Sequence, residues 1–380
     1  MENDRGNGQE MTKKIRVAVL FGGRSAEHEV SLQSAKSIIE AIDREKYEVV
    51  PIAIDKTGQW YLNDASRLLL NAEDPKQIKL NNGSRNAVAL VPAPAEKQEQ
   101  LISLTKQVPV DPIDVIFPVL HGTYGEDGTV QGLLKLANIP FVGPSVLGSA
   151  VGMDKDVTKR LLRDAGIPIA KFLVFERWKR DQIRFADVKE QLGLPMFVKP
   201  ANLGSSVGVS KVKRKEDFDQ ALAEAFRFDT KILIEEGIDG REIECSVLGN
   251  EQPIVSIPGE ITPTHEFYSY DAKYIDEKGA ALQIPANLPP DKVSAVQDLA
   301  VRAFKALCLE GMARVDCFLD KNGQFFVNEL NTIPGFTKIS MYPKLWEASG
   351  IPYSELIDRL IQLAIGRWER EQQLHTSREG

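Results

Sequence analysis

The chain has 380 residues, of which 43% are hydrophobic and 27% charged, and its formal net charge is -7. This length predicts two or three domains with ample core. Positive and negative residues are interleaved along the chain, so the sequence lacks the basic face that nucleic-acid binding requires. A polyphosphate or a metal ion would have to be held by local groups.

The three cysteines, Cys245, Cys308 and Cys317, are far apart and odd in number. This pattern favours buried free thiols in a reducing compartment. The first eleven residues are polar and lack the apolar stretch of a signal peptide. No apolar run reaches membrane-spanning length. We therefore expect a cytoplasmic protein that contacts neither membrane nor nucleic acid.

The N-terminal part, 11–145, alternates strands with helices. Strands are predicted at Ile15–Phe21, Tyr47–Ile54 and Asp114–Leu120, with a helix after the first and the third. The first strand is a continuous apolar run, which is typical of a parallel strand buried on both faces. We predict an α/β domain on a parallel sheet, with an exposed loop inside Asn81–Gln107.

The central part, 146–230, has the pattern of a small α+β module. A helix is predicted at Asp154–Ala165, because Gly166 and Pro168 follow it. A second helix is predicted from the apolar stripe near Phe218. The strands are predicted at Ala170–Phe175, Met196–Lys199 and Val209–Val212.

The C-terminal part, 231–368, begins with a strand at Lys231–Glu235 and continues with an alternating strand at Arg241–Gly249. A long helix is predicted at Asp291–Leu307. The segment 260–285 has no clear period and is rich in Tyr, His and charge. A loop of this length is usually functional or disordered, so we expect it to act as a lid.

The most informative segment is the hairpin Met312–Asn331. Asn322-Gly323 between two alternating runs predicts a two-residue type I′ turn, which fixes the pairing of the strands. One face then carries opposed polar pairs, whose Cβ atoms lie roughly 5 Å apart; these pairs are Asp316 with Glu329 and Arg314 with Asn331. The other face is mostly core and pairs Val315, Cys317 and Leu319 with Leu330, Asn328 and Phe326.

One face of this hairpin therefore gathers a guanidinium, an amide and two carboxylates. Two facing carboxylates repel each other, and a cation between them removes the conflict. Mg²⁺ typically takes one or two protein carboxylates together with substrate phosphates. The alternative is a solvated polar face on which Arg314 pairs with the acids. The position of the polar group at the strand ends favours the metal site.

A Gly/Ser loop, Gly204–Gly208, links two predicted strands. Its small residues allow backbone N–H groups to converge on an anion. It is not a P-loop, because the lysine precedes the loop and a strand follows it. A plain flexible loop is the alternative, but Lys199 at the end of a buried strand needs an anionic partner. We predict phosphate binding here, with Lys155 and Lys273 as further candidates.

The turn after the first strand, Gly22–Ser25, is a weak dinucleotide signal because it lacks the G-x-G-x-x-G order. Glu27, His28 and Glu29 at the start of the next helix suit an ammonium group better than a phosphate.

These segments together resemble the D-alanine–D-alanine ligase family of the ATP-grasp superfamily, from about Ile15 to Trp368. The matching motifs are GGRSAEHEVS at Gly22–Ser31, HGTYGEDG at His121–Gly128, MDK at Met153–Lys155, VKPANLGSSVGVSKV at Val198–Val212, EFYSYDAKY at Glu266–Tyr274, and ARVDCF with NELNTIPGFT around the hairpin. The resemblance implies an N-terminal parallel-sheet (pre-ATP-grasp) domain, 11–145. A two-part ATP-grasp fold with antiparallel sheets would follow, comprising 146–230 and 231–368 with the lid at 260–285.

The resemblance also implies an activity, ATP-dependent ligation of two D-alanine molecules to D-alanyl-D-alanine through a D-alanyl phosphate intermediate. Such a reaction supplies peptidoglycan precursors for cell-wall synthesis and cell shape. The cofactors would be ATP and two Mg²⁺ or Mn²⁺ ions. The family further implies a homodimer.

The site residues implied by the resemblance fall into four groups. The ATP-binding residues would be Lys155, Lys199, Ser206, Glu235, Glu236, Ile238, Glu242 and Lys273, the last of which would reach the transferred phosphate. The metal ligands would be Asp316, Glu329 and Asn331. The first D-alanine would be held by Glu27, through Ser205 and Tyr274, with His121 nearby. The oxyanion would be stabilised by Arg314 and the Gly335 N–H, and the carboxylate of the second D-alanine would be fixed by Ser340 and Met341.

Two residues depart from the family pattern. His28 stands where arginine is frequent, and Asp271 stands in the lid where glutamate is frequent. Tyr274 is retained, which favours D-alanine over D-lactate as the second substrate. Two alternatives stay open: a related ligase with D-serine or D-lactate as acceptor, and a non-catalytic nucleotide-binding or sensing protein, for which the hairpin acids would be unnecessary.

Overall fold

The computed structural model of the chain describes residues 13–62, 69–70, 77–80, 86–92, 100–105, 111–263 and 280–375. Within these ranges no helix is long and apolar enough to cross a membrane. The α-helices described are α1 His28–Ala41, α2 Thr129–Leu136, α3 Val146–Met153, α4 Lys155–Asp164, α5 Phe185–Leu192, α6 Phe218–Phe228, α7 Pro290–Ala306, α8 Met341–Ala348 and α9 Tyr353–Gln372.

The N-terminal sheet has six strands in the order β7-β6-β3-β2-β1-β8. Their bounds are β1 Ile15–Gly22, β2 Tyr47–Ile54, β3 Trp60–Leu62, β6 Asn86–Leu90, β7 Leu101–Ser103 and β8 Val115–Val119; β4 Leu69–Leu70 and β5 Lys79–Leu80 form a separate pair. β1 pairs in parallel with β2 and β8, which confirms the predicted parallel core. The short strands β3, β6 and β7 extend it antiparallel. β6 and β7 lie within Asn81–Gln107, of which part was predicted as an exposed loop. They were not predicted, because strands this short leave little periodicity to detect.

Strand β1 is buried on both faces, as its continuous apolar run predicts. Val17 and Phe21 pack into one core, and Ala18 and Leu20 into the other, all with no exposed surface. Helices α1 and α9 contribute to the first core and α2 to the second. Because α9 comes from the far end of the chain, it attaches the C-terminal part directly to the N-terminal sheet.

The central sheet is antiparallel, with strand order β11-β10-β12-β9. The bounds are β9 Phe172–Glu176, β10 Met196–Pro200, β11 Ser210–Val212 and β12 Lys231–Glu236. Alternation along the strands places Val198 and Ile234 in the core under α5 and α6. Lys199 and Glu235 consequently lie on the opposite face. Strand β12 belongs to this sheet, although the predicted boundary at residue 231 assigned it to the next part.

The C-terminal sheet is also antiparallel, in the order β16-β15-β13-β17-β18, with β14 paired to β13. The bounds are β13 Gly240–Gly249, β14 Ile254–Val255, β15 Gly259–Pro263, β16 Ala280–Gln283, β17 Gly311–Asp320 and β18 Phe325–Asn331. Ile243, Cys245 and Val247 face a core that includes α7, which confirms the predicted alternation. The cysteines are free; Cys245 and Cys317 are buried as predicted, whereas Cys308 is exposed.

Candidate active site

The hairpin of β17 and β18 contains a different turn from the one predicted. The Asp320 N–H donates to the Gln324 carbonyl at 3.0 Å, which leaves three residues in the loop. Gly323 has φ +78°, but Asn322 does not have a positive φ. A type I′ turn needs positive φ at both positions, whereas a three-residue loop needs it only at the last. The two-residue turn prediction is therefore wrong.

A β-bulge in the same hairpin compensates for the longer turn. Cys317 and Leu319 pair with Val327 and Phe325, one residue away from the predicted partners, so those two pairings are wrong. The register then shifts back by one residue at Asn328. Bulges of this kind re-aim side chains beside active sites. Asn328 accordingly lines the cleft described below, where the prediction placed it against the core.

Beyond the bulge, the predicted polar pairs are confirmed: Asp316 lies opposite Glu329, and Arg314 opposite Asn331. Arg314 donates two hydrogen bonds of 2.7 Å to the Asp316 carboxylate, and the Asn331 amide donates to the same carboxylate at 2.9 Å. Arg314 Nε also lies 3.0 Å from Oε2 of Glu244 on β13. The ion pair weighed as an alternative from the sequence is thus part of the site.

The donors on this face fit a hard cation. Asp316, Glu329 and Asn331 offer carboxylate and amide oxygens, the ligands that Mg²⁺ takes in proteins. In the described ranges, no group of three or more His, Cys, Asp or Glu side chains is arranged to hold a metal ion. On this face, the three oxygen-bearing side chains do not form a closed cage by themselves. The set matches an ion whose remaining ligands come from a polyphosphate and water.

A cleft of about 280 Å³ separates the central sheet from the C-terminal sheet. Most residues predicted for ATP and metal line it, namely Lys155, Lys199, Ser206, Glu235, Glu236, Ile238, Glu242, Asp316 and Glu329. Ser205 also borders the cleft. Lys273 and Tyr274 lie outside the described residues, as does most of the predicted lid. Helix α4, strands from two sheets and the Gly/Ser loop thus bring distant parts of the sequence to one surface.

The floor of the cleft holds one carboxylate between two lysines. Lys199 Nζ donates to Glu235 Oε2 at 2.6 Å, and Lys159 Nζ lies 3.3 Å from Glu235 Oε1. The side chain of Lys159 is only 1% exposed. Burial alone would raise the pKa of Glu235, but the charges of Lys159 and Lys199 outweigh it and lower the pKa to about 2. Glu235 is therefore ionised at neutral pH.

The two lysines respond differently to the same carboxylate. Burial lowers the pKa of Lys159 more than Glu235 raises it. For Lys199, burial acts in the same direction, but attraction to Glu235 outweighs it and raises the pKa. Lys155, at the start of α4, donates instead to the Leu203 carbonyl at the base of the Gly/Ser loop. Two cations thus face the cleft from the positions predicted for phosphate binding.

Glu27 lies at the start of α1 and is buried. The Ser205 hydroxyl of the Gly/Ser loop donates a hydrogen bond to its Oε1. A Cβ on Gly122, where φ is +74°, would lie 2.6 Å from Glu27 Oε2, so only glycine permits this approach. Ser205 and Ser206 also have positive φ, at +52° and +59°. The loop is thereby bent so that Ser205 reaches Glu27 of the N-terminal domain.

His121 connects the N-terminal domain to the segment after β18. Its Nδ1 lies 2.9 Å from the Ile333 carbonyl and its Nε2 3.2 Å from Ser34 Oγ. Burial lowers the pKa of His121, and the charge of Glu27 only partly offsets this. Ser34 Oγ also accepts the Phe336 N–H at 3.2 Å. Gly335, the predicted oxyanion donor, is buried in the segment that these bonds fix.

Ser340 and Met341 lie at the N-terminus of α8. Backbone N–H groups at such a terminus attract a carboxylate, which is the role predicted for this pair. The Ser340 hydroxyl accepts the Thr337 N–H at 3.1 Å. The side chain of Met341 packs in a small core with Ile261 and Leu345. Met341 can therefore contribute to the site through its backbone only.

Three charged residues of the site were not assigned from the sequence: Glu126, Lys159 and Glu244. Lys159 follows Lys155 by one helical turn, a spacing that places both on one face of α4. Glu244 lies on the polar face of β13 that the alternation identified. Glu126 lies inside the HGTYGEDG motif. His28, the departure from the family pattern, contacts the Gly23 carbonyl through Nδ1 at 2.8 Å.

Comparison with known proteins identifies the family of this chain. Residues 16–144 match the family model described as D-ala D-ala ligase N-terminus, and residues 161–362 match D-ala D-ala ligase C-terminus. The D-alanine–D-alanine ligase of Oceanobacillus iheyensis is 58% identical over 96% of this chain and 99% of its own length. D-alanine–D-alanine ligase A of Escherichia coli K12 is 54% identical over 96% and 100%.

Solved structures give the same result. The D-alanine-D-alanine ligase from Coxiella burnetii superposes with a TM-score of 0.82 at 40% identity, covering 95% of this chain and 96% of that one. The VanG D-Ala:D-Ser ligase from Enterococcus faecalis superposes with a TM-score of 0.80 at 37% identity, covering 93% and 100%. Fold and site together define a ligase of the ATP-grasp type. The chain belongs to the D-alanine–D-alanine ligase family.

Proposed function

We propose that this enzyme joins two molecules of D-alanine, using ATP, through a D-alanyl phosphate intermediate. The observation that carries the proposal is the continuity of one site. Lysines and acids suited to a metal-bound triphosphate line the cleft, and Ser205 at its edge hydrogen-bonds to Glu27, a buried carboxylate suited to an ammonium group. A carboxylate beside that ammonium would lie next to the phosphate to be transferred.

In the first step, a carboxylate oxygen of D-alanine attacks the γ-phosphorus of ATP and ADP leaves. Lys199 and Lys155 hold the phosphates, and Glu27 holds the ammonium of the first D-alanine. Phosphoryl transfer needs little covalent chemistry from a protein, so positioning and charge neutralisation account for most of the catalysis. The bent Gly/Ser loop brings these groups together and covers the phosphates.

In the second step, the amine of the second D-alanine attacks the acyl carbon, phosphate leaves, and the amine loses a proton. The tetrahedral adduct carries a negatively charged oxygen. We assign its stabilisation to Arg314 and the N–H of Gly335, since fixed donors of this kind are worth the most where charge develops. The N-terminus of α8, at Ser340 and Met341, binds the carboxylate of the second substrate.

Asp316, Glu329 and Asn331 would hold two divalent ions, Mg²⁺ or Mn²⁺. When bound, such ions neutralise charge on the transferred phosphoryl group. In the structure, Arg314 donates hydrogen bonds to both carboxylate oxygens of Asp316. We infer that Arg314 gives up part of this contact when the cation and the nucleotide bind. The expected homodimer and the cytoplasmic location stay predictions.

The test is product analysis by mass after incubation with ATP, Mg²⁺ and D-alanine. We expect D-alanyl-D-alanine and phosphate in equal amounts, and neither product when L-alanine replaces D-alanine. Phosphate release that is independent of D-alanine would contradict the proposal. Nucleotide binding without any turnover would support the sensing protein instead.

One observation favours a second candidate function, in which D-serine replaces D-alanine as the acceptor substrate. The VanG structure, named as a D-Ala:D-Ser ligase, superposes nearly as well as the D-alanine ligase of Coxiella burnetii. We propose D-alanine as the preferred acceptor, because the sequence relatives at 53–58% identity are named D-alanine–D-alanine ligases. Competition between D-alanine, D-serine and D-lactate across pH tests this choice. An amine must lose its proton to attack, so ester formation with D-lactate would gain relative weight at low pH.

A further inference from the structure

Glu126 joins its own loop to Ile333, which lies 207 positions further along the chain. Its Oε2 accepts the N–H of Gly122 at 2.7 Å, and its Oε1 accepts the N–H of Ile333 at 2.8 Å. Gly122 is the glycine that packs against Glu27. Ile333 lies two residues before Gly335. One carboxylate therefore spans the binding site of the first substrate and the segment that carries the oxyanion donor.

The segment around Gly335 is fixed on both sides by the N-terminal domain. Glu126 holds the N–H of Ile333, and His121 holds its carbonyl at 2.9 Å. On the other side, Ser34 Oγ accepts the N–H of Phe336 at 3.2 Å. Both backbone groups of Ile333 and the N–H of Phe336 are thus held by side chains from the domain that carries Glu27. The direction of the Gly335 N–H follows from these contacts.

The carboxyl group of Glu126 is costly to ionise at this position. Burial and the nearby charge of Glu27 raise the pKa of Glu126 to about 8, although its two backbone hydrogen bonds and Arg314 act in the opposite direction. A glutamine would avoid the charge. However, glutamine has one accepting oxygen where glutamate has two, and its NH₂ group cannot accept, so one of the two N–H groups would lose its partner.

We propose that Glu126 is a positioning residue, which sets the Gly335 N–H relative to the first substrate by holding Gly122 and Ile333 at fixed separation. This inference rests on the proposed function, because it gives Gly335 the role of oxyanion donor. Glu126 influences the adduct of the second step only through the position of Gly335. It does not line the cleft proposed for the nucleotide. Its removal should therefore affect turnover and leave nucleotide binding intact.

The test compares Glu126→Gln with Asp127→Asn. Asp127 is the matched control, because its carboxylate also accepts two backbone N–H groups, from Tyr124 at 2.8 Å and Thr129 at 3.0 Å, but both belong to its own loop. We expect Glu126→Gln to lower kcat for dipeptide formation by about 10- to 100-fold, because misplacing a reacting group by about 1 Å can cost about 100-fold. The KM for ATP should stay within about twofold. Asp127→Asn should change neither quantity by more than about twofold.

A second variant covers the case in which Glu126→Gln does not fold. Ser34→Ala removes the contact to the Phe336 N–H, so it should lower kcat in the same way but by less, again at constant KM for ATP. Equal loss of kcat in Glu126→Gln and Asp127→Asn, or wild-type kcat in Glu126→Gln or Ser34→Ala, would overturn the inference. Failure of the wild-type enzyme to form dipeptide would instead refute the proposed function, so the two failures are distinguishable.

Discussion

Glu235 and Glu126 lie on opposite sides of the site, and their pKa values are shifted in opposite directions. Glu235 lies between Lys159 and Lys199, which lower its pKa to about 2. Glu126 lies near Glu27 and accepts two backbone N–H groups, and its pKa is raised to about 8. The side proposed for the nucleotide thus has charge pairs between side chains, whereas on the side proposed for the substrate Glu126 holds backbone N–H groups.

This difference matches what we propose that each side binds. A triphosphate is a large, mobile anion, and lysines already paired with Glu235 can be held in place before it arrives. An oxyanion is small and transient, and its stabilisation depends on the direction of individual N–H groups. Point charges are sufficient for the first task, but the second needs fixed backbone geometry. The predictions below test whether the two sides fail in these different ways.

The largest expected effect is on stability, from Glu235→Gln. This change leaves Lys159 and Lys199 buried without their shared partner, and breaking a buried ion pair costs about 3–5 kcal/mol. Lys159→Met should cost less, since Glu235 keeps Lys199. Urea unfolding of both variants measures the difference. Equal losses of unfolding free energy in the two variants would show that Lys159, Glu235 and Lys199 do not stabilise the protein as one charged group.

The next effect is on activity, from Asp316→Asn. Residues that only orient a metal ligand contribute about 10- to 100-fold, so loss of a proposed ligand should lower kcat by more than about 100-fold. Asp320→Asn is the control, because Asp320 lies on the same strand but caps the turn. A steady-state assay at saturating ATP and varied Mg²⁺ measures both. Unchanged turnover in Asp316→Asn would support the non-catalytic sensing protein.

The hairpin acids also show which features of the site could be predicted from the sequence. The pairing of Asp316 with Glu329 was predicted correctly from a wrong turn, because the longer loop and the bulge at Asn328 offset each other. Neither leaves a clear signal: Asn-Gly fits several turns, and a bulge needs no special residue. Alternation alone placed β13, β17 and β18, because one face of each is buried.

Residues that act through long-range contacts were harder to predict. Glu126 and Ile333 meet only because α9 and the hairpin pack against the N-terminal sheet, and no periodicity records that contact. Lys159 shares a helical face with Lys155, but its burial depends on β12 and Glu235. By contrast, Lys199 and the Gly/Ser loop could be predicted from the sequence, since a lysine that ends an apolar strand is unusual by itself.

A smaller effect is expected where the two sides meet. Ser205→Ala removes the hydroxyl that donates to Glu27, and a hydrogen bond to a charged group contributes about 1.5–3 kcal/mol. The KM for D-alanine should rise by about tenfold or more, because Glu27 loses its orientation, while the KM for ATP changes less. Ser210→Ala, at the start of β11, is the control. A larger rise in the KM for ATP than for D-alanine would assign Ser205 to the nucleotide side.

The pH dependence of stability separates the two carboxylates. The pKa of Glu235 is below its ordinary value of 4.5, so its contribution is full above pH 4.5 and is lost as the pH falls toward 2. The pKa of Glu126 is above 4.5, so its contribution is full below pH 4.5 and is lost as the pH rises through 8. Between pH 5 and 8, Glu126→Gln should therefore lose less unfolding free energy than the wild type. Urea unfolding at each pH measures these free energies. If they changed in parallel with pH in the wild type and in Glu126→Gln, the raised pKa of Glu126 would be contradicted.

The most direct test of the account follows oxygen through the reaction. If the carboxylate of the first D-alanine attacks ATP, one of its oxygens becomes the bridge to phosphorus and leaves with phosphate when the amine attacks. D-alanine labelled with ¹⁸O in its carboxylate should therefore yield phosphate containing one ¹⁸O for each dipeptide, measured by the ³¹P NMR isotope shift. Unlabelled phosphate alongside dipeptide would contradict an acyl phosphate route and with it the shared site proposed for nucleotide and substrate.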